Sequence, residues 1–145
     1  MAKVRGFEIP ENLYYDVKNH VWVKPIEEKQ AFMGIDDIGQ YLAKKIVFVK
    51  PRPPGSPVSR GTPFAIIESI KWVGALISPL TCSIVDVNRK VIARPSLLNE
   101  EPYEAWIVKV QTEDLGSQLK SLVTGSEALK LQEEDLEKRG ISGRG

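Results

Sequence analysis

Apolar residues fall in short runs separated by turn-forming residues from Tyr14 to Val110, and the chain beyond is polar with leucines at helical spacing. Val21-Trp22-Val23 and Gln30-Ala31-Phe32-Met33-Gly34-Ile35 read as strands, with Lys24-Pro25-Ile26-Glu27-Glu28-Lys29 as the polar turn between them. Asp36 suits a helix cap. Ile38, Tyr41 and Leu42 then recur at three- and four-residue spacing, which predicts a short amphipathic helix with Lys44 and Lys45 in its last turn. Ile46-Val47-Phe48-Val49 reads as a buried strand. Pro51-Arg52-Pro53-Pro54-Gly55-Ser56-Pro57 fits neither helix nor central strand and is expected to be a stiff surface connection. Ser83 to Asn88 predicts a strand, Pro95 to Leu98 a helical turn, Asn99 to Tyr103 an acidic loop, and Trp106 to Val110 the last strand. Leu115, Leu119 and Leu122 share a helical face. Ser126 is placed to cap a second helix carrying Leu129, Leu131 and Leu136.

Residues 1–13 thus read as an irregular arm and 14–112 as the folded domain. Residues 113–138 are expected as helices packed on or beside it, and 139–145 as a frayed tail. Many short strands with frequent turns and a helical tail predict a mainly β protein, a small sandwich or flattened barrel with short peripheral helices.

One stretch stands apart. Phe64-Ala65-Ile66-Ile67 and Trp72-Val73-Gly74-Ala75-Leu76-Ile77 are two apolar runs flanking Glu68-Ser69-Ile70-Lys71. Glu68-Ser69 and Gly74 permit a reversal, which puts Lys71 at or beside the tip of a β-hairpin. A lysine there is either a substrate for a modifying enzyme or a solubilising charge at a turn.

Composition changes this picture mainly by exclusion. A chain of 145 residues suits one domain. The net charge of +1 creates no field for nucleic acid or an anionic membrane, and no apolar run approaches a membrane span. Met1 to Gly6 carries neither a secretory apolar core nor a transit pattern, and the single cysteine, Cys82, suits a reducing compartment; a cytoplasmic protein is expected. His20 is the only histidine, so neither a His cluster for a metal nor a two-histidine pair is available. Beside Trp22 it reads as a structural residue. There is no phosphate-binding Gly-Lys-Ser/Thr loop and no G-x-S-x-G elbow. A chain this poor in catalytic groups reads as a carrier or interaction module, not an enzyme.

Glu68-Ser69-Ile70-Lys71 resembles the lipoyl-lysine motif of the glycine cleavage H-protein family. His20-Val21-Trp22-Val23 is similar to that family's H-E-W-V. Gly34-Ile35-Asp36-Asp37 with Gln40, then Ile46 to Val49, resembles G-I-T-D…Q…I-V-F-V. Ser78-Pro79 followed by Val85-Asp86-Val87-Asn88 matches its S/A-P…V-E-V-N segment, and Leu98 to Tyr103 followed by Trp106 to Lys109 its L-V-N-E-D-P-Y…W-L-I-K. The order holds from about Tyr14 to Val110.

The resemblance implies a barrel-sandwich hybrid fold. It also implies lipoate joined as an amide to Lys71, with Glu68, Ser69, Ile70 and Trp72 around the attachment point. The expected partners are a lipoate ligase or transferase, the glycine cleavage enzymes or a heterodisulfide-reductase-like complex, and dihydrolipoamide dehydrogenase. No nucleic acid, membrane or metal is expected. A biotin carrier is disfavoured because Lys71 lies between Ile70 and Trp72, not between methionines. Some positions depart from the family pattern. The glutamate of H-E-W is Val21, and the acidic residue usual four places after the lysine is Ala75. In the family those carboxylates help hold an aminomethyl-loaded arm. Their loss reads either as drift or as a carrier specialised for another cargo, as in the H-like proteins of heterodisulfide-reductase-like sulfur oxidation. Cys82 is read as structural or incidental.

Overall fold

The computed structural model describes residues 2–70 and 72–144. The strands are β1 (Lys3–Val4), β2 (Phe7–Glu8), β3 (Tyr14–Asp16), β4 (Val21–Glu27), β5 (Gln30–Ile35), β6 (Ile46–Pro51), β7 (Pro57–Val58), β8 (Pro63–Ser69), β9 (Trp72–Ile77), β10 (Cys82–Val87), β11 (Val108–Gln111) and β12 (Val123–Thr124). The helices are α1 (Asp37–Ala43), α2 (Arg89–Ala93), α3 (Leu97–Glu100), α4 (Leu115–Leu119) and α5 (Gly125–Lys138). Seven strands form one sheet in the order β12-β3-β4-β5-β11-β10-β7; β6-β8-β9 form a second, and β1-β2 a small hairpin. Among the described residues no helix is long and apolar enough to cross a membrane.

Strand β4 shows how the layers are set. Its side chains alternate between faces. Val21 and Val23 enter a core shared with Ile46, Val49, Phe64, Ile67 and Leu76 of the three-stranded sheet. Trp22 points the other way, into a second cluster with Phe7, Ile9, Ile38, Ala128 and Leu136. The large sheet is therefore covered on both faces in this region, which is why Val21, Trp22 and Val23 are all buried. The two sheets enclosing one core are the barrel-sandwich hybrid the sequence led us to expect. Trp22 pairs across the ladder with Gly34, and a Cβ on that glycine would lie 2.6 Å from the indole. The indole nitrogen donates to the Pro102 carbonyl at 3.0 Å.

Several local expectations are corrected. Strand β4 continues through Lys24 to Glu27, with an irregularity between Pro25 and Glu27, where a polar turn was expected. Residues 3–8 form a hairpin instead of an irregular arm, because Phe7 and Ile9 supply apolar surface to the second core. Lys44 lies past the end of α1 with φ 66, so neither lysine occupies its last turn. Strand β6 is only half buried: Val47 and Phe48 are exposed while Ile46 and Val49 face the core. Strand β11 is not the last, since β12 returns to pair with β3. Thr124, not Ser126, precedes α5. Helix α2, capped by Asn88, carried too short an apolar pattern to be seen. The tail does not fray up to Arg144. Ile141 packs on the second core, the Arg144 amide donates to the Arg5 carbonyl, and the Arg144 guanidinium reaches Asp37.

Candidate functional site

Strands β8 and β9 pair antiparallel from Ala65↔Leu76 to Ser69↔Trp72. This register leaves only Ile70 and the residue after it to connect the strands. Ile70 is 66% exposed. Lys71 lies outside the described residues. The reversal therefore falls where the sequence placed it, but Gly74 is not part of it. Gly74 sits within β9 opposite Ile67. Its role is to make room for Trp72, whose Cη2 would be 2.1 Å from a Cβ at position 74.

The hairpin has two faces. On one, Phe48, Glu68 and Val73 form a cross-strand row, with Ile66 in the next. Phe48, Ile66 and Val73 are exposed and Glu68 is half-buried, so this carboxylate is framed by apolar side chains. On the other, Ser69 is buried and donates to the Trp72 carbonyl at 3.4 Å. The half-exposed Trp72 forms part of the wall of a groove of about 320 Å³. Leu42, Ala43, Ile67 and Leu76 give that groove an apolar floor, and Lys18, Asn19 and Arg139 give it a polar rim.

His20 also lines the groove. It is buried, and its φ of 56 turns the ring between two carboxylates. Nδ1 is 3.1 Å from Asp36 Oδ2 and Nε2 is 2.9 Å from Asp135 Oδ2. Burial disfavours the charged ring, but Asp36 and Asp135 outweigh it and raise its pKa to about 10. The ring is thus an imidazolium at neutral pH, and both nitrogens donate. Burial alone would raise the Asp135 carboxyl; His20 and Arg139 instead hold it below the ordinary carboxylate range. Asp36 has a second duty. Its Oδ1 accepts from the Gly39 amide at 2.8 Å, capping α1 as expected. His20 is therefore a satisfied structural residue that ties α5 to the start of α1.

The two substituted positions behave differently. Val21 is fully buried in the main core, whereas Ala75 is exposed and borders the groove. No aspartate or glutamate lines the groove among the described residues. Lys18 and Arg139 were missed in the sequence. One precedes β4 and the other follows α5, and only the folded chain brings them together. Cys82 is buried in β10, in the other sheet, and burial pushes its thiol up to about 11. It is a packing residue. Among the described residues no group of three or more His, Cys, Asp or Glu is arranged to hold a metal.

Residues 13–135 match the family model described as Glycine cleavage H-protein. The chain belongs to the glycine cleavage H-protein family. Among its curated relatives is glycine cleavage system H protein 2 of Aquifex aeolicus, 40% identical over 143 residues, covering 98% of this chain and 89% of that one. Probable glycine cleavage system H protein 2 of Sulfurisphaera tokodaii is 44% identical over 132 residues, covering 89% and 88%. The crystal structure of a glycine cleavage system H protein from Mycobacterium marinum superposes with a TM-score of 0.73 at 27% identity, covering 91% of this chain and 99% of that one. The H-protein match begins at residue 13 and runs into α5, so it takes in β12 and most of that helix as well as the stretch quoted from the sequence.

Proposed function

We propose that this chain is a non-catalytic carrier that holds lipoate as an amide on Lys71 and presents it in turn to partner enzymes. The observation that carries this reading is the β8–β9 register, which leaves Ile70 and Lys71 as the sole connection between Ser69 and Trp72 in an H-protein family member. A connection of two residues joins two paired strands, and Ile70 within it is exposed to an approaching enzyme.

The groove beside the hairpin suits such an arm. Its floor is apolar, as a hydrocarbon chain requires, and Trp72 stands directly after the attachment position. When bound, lipoate supplies a disulfide that opens to two thiols and accepts a group on sulfur. The protein's own residues do something different. Leu42, Ile67 and Leu76 shelter an arm from water, Trp72 walls it in, and Glu68 marks the outer face for an acylating enzyme. Tethering raises the concentration of the arm at a docked partner's site. The partners in this reading are a lipoate ligase or transferase, dihydrolipoamide dehydrogenase and a pair of group-transfer enzymes, all in the cytoplasm.

That no carboxylate lines the groove among the described residues supports a carrier specialised for a cargo other than an amine, working with a heterodisulfide-reductase-like complex. A second reading, a glycine cleavage carrier, is favoured by the names of the relatives. Incubation with lipoate, ATP and a lipoate ligase tests the core of the proposal. A lipoyl mass increment on the intact protein is expected, and none on Lys71→Arg. Modification of the variant, or none of the parent, refutes it. Restored glycine decarboxylation with the glycine cleavage enzymes would select the second reading.

A further inference from the structure

We infer that the groove between the β8–β9 hairpin and α1 selects for a negatively charged group at the end of the arm. The inference rests on the carrier reading and adds the charge of its cargo.

The ionisable lining of the groove is Lys18, His20 and Arg139, and no carboxylate lines it among the described residues. Three carboxylates stand nearby, and each is already engaged by a donor of the wall. Asp16 accepts from the Asn19 amide at 3.3 Å and from its side chain at 2.8 Å. Asp36 accepts from His20, from Gln132 at 3.0 Å and from the Gly39 amide. Asp135 accepts from His20 and from Arg139 Nε at 2.9 Å. The Arg139 ion pair uses Nε, so the terminal amino groups of its guanidinium are not consumed by it. Lys18 is exposed and takes part in no described ion pair. The groove thus offers a guest an apolar floor, donors and positive charge at its rim.

A guest matching that surface has an apolar stem and an anionic head. An ammonium head would meet Lys18 and Arg139 with like charge, and among the described residues no carboxylate lines the groove to offset it. A neutral head would gain only from the floor. Selection of this kind is a difference in affinity, built from one attraction and one repulsion.

The test uses the lipoylated full chain. Its dithiolane is first reduced to the dithiol by a phosphine, which is oxidised to the phosphine oxide with water as the oxygen and proton source and is removed before alkylation; mass spectrometry confirms both the lipoyl increment and the reduction. The thiolates then displace iodide from iodoacetate, iodide from iodoacetamide, or bromide from 2-bromoethylamine. The products are thioethers bearing a carboxylate, a neutral amide or an ammonium. Cys82 is buried with a raised thiol pKa, and the mass of each product verifies that it stays unmodified. Seating is read from the indole N–H resonance of Trp72 in ¹⁵N-labelled protein.

The carboxymethyl arm is expected to shift that resonance, and the aminoethyl arm to leave it near its position in unmodified protein. Added salt and Lys18→Glu should each reduce the seated fraction about threefold or more, as exposed charge pairs do. Arg139→Gln should act in the same direction. Equal seating of all three arms, preference for the ammonium, or no seating of the carboxylate overturns the inference while the carrier reading stands. Failure to acquire the lipoyl increment at all overturns the carrier reading, and the inference with it.

Discussion

Trp72 and Gly74 depend on one another: the indole lies where a Cβ on the glycine would be, 2.1 Å from Cη2. The indole can take that place only because the residue two positions on in the same strand has no side chain. Gly74→Val should push the ring off the groove wall. Because Trp72 is half exposed, the strain is relieved by rotation outward and stability should change by less than about 1 kcal/mol, below the usual cost of overpacking a sealed core. The expected signature is a Trp72 resonance shifted toward solvent-exposed values and increased fluorescence quenching by acrylamide. An unmoved resonance would show that the glycine has another purpose.

That pair illustrates what could and could not be read in advance. The strands were legible because β-branched runs and turn residues act over a few neighbours, and β5, β8, β9 and β10 fall close to where the pattern put them. The Asp36 cap was legible for the same reason. Errors cluster where a distant segment decides. Phe7 and Ile9 look like stray apolar residues until α5 covers them, and Ile141 looks like a loose end until the same core receives it. Glu68, Ser69, Ile70 and Trp72 are adjacent in sequence and remained adjacent in the fold. The rim of the groove is different: Lys18 and Arg139 are separated by nearly the whole chain, and nothing in either neighbourhood pairs them. A glycine between apolar residues signals a reversal in the sequence, whereas Gly74 lies inside β9 and gives room to the Trp72 ring.

The His20 imidazolium predicts a stability change at alkaline pH. Its folded pKa of about 10 lies above the 6.5 of an unperturbed histidine. A group raised in this way contributes fully below about pH 6.5, contributes progressively less as pH rises, and has lost its contribution once pH exceeds about 10. The loss should be on the order of 3 kcal/mol, since a buried ring between two carboxylates then surrenders its charge. Chemical denaturation at a series of pH values measures it. The decisive comparison is with His20→Asn, which removes this group alone and tolerates the same positive φ. The variant should be less stable at pH 6 and lose less between pH 7 and 10. Parallel curves for the two proteins would contradict the assignment.

The end of the chain predicts a second stability effect. Asp37 is buried and accepts from Arg144, the Glu8 amide and Gln40, so three segments meet on one carboxylate. Arg144 is half exposed, which weakens its share of the interaction. Arg144→Ala should cost about 1 kcal/mol, because two donors remain on Asp37. Asp37→Ala should cost more, about 2 to 3 kcal/mol, since it leaves the Glu8 amide and the Gln40 side chain without their partner. Thermal melts of the two variants give the order. A larger effect for Arg144→Ala would mean that the tail acts through Phe7, over which its guanidinium also sits at 5.9 Å, more than through the carboxylate.

Glu68 offers a test of how the hairpin is recognised. Its carboxylate lies between Phe48 and Val73 across the outer face of the three-stranded sheet, with Ile66 and Ile70 exposed nearby. A carboxylate flanked across the strands by Phe48 and Val73, with the exposed Lys50 one row away opposite Ile66, is a poor contributor to stability and a good landmark for a partner, because charge set among apolar side chains fixes register. Glu68→Gln keeps the shape and removes the charge. It should leave the melting temperature within about 2 °C, as surface substitutions do, and lower the rate of Lys71 acylation by a lipoate ligase about tenfold, the loss of one charge-assisted hydrogen bond. Val73→Ser probes the apolar frame separately and should raise the KM for this protein more than it lowers kcat. If Glu68→Gln is acylated at the parental rate while Val73→Ser is slowed, the enzyme reads the apolar frame and the carboxylate serves solubility. If neither substitution matters, recognition lies in the backbone of the hairpin itself.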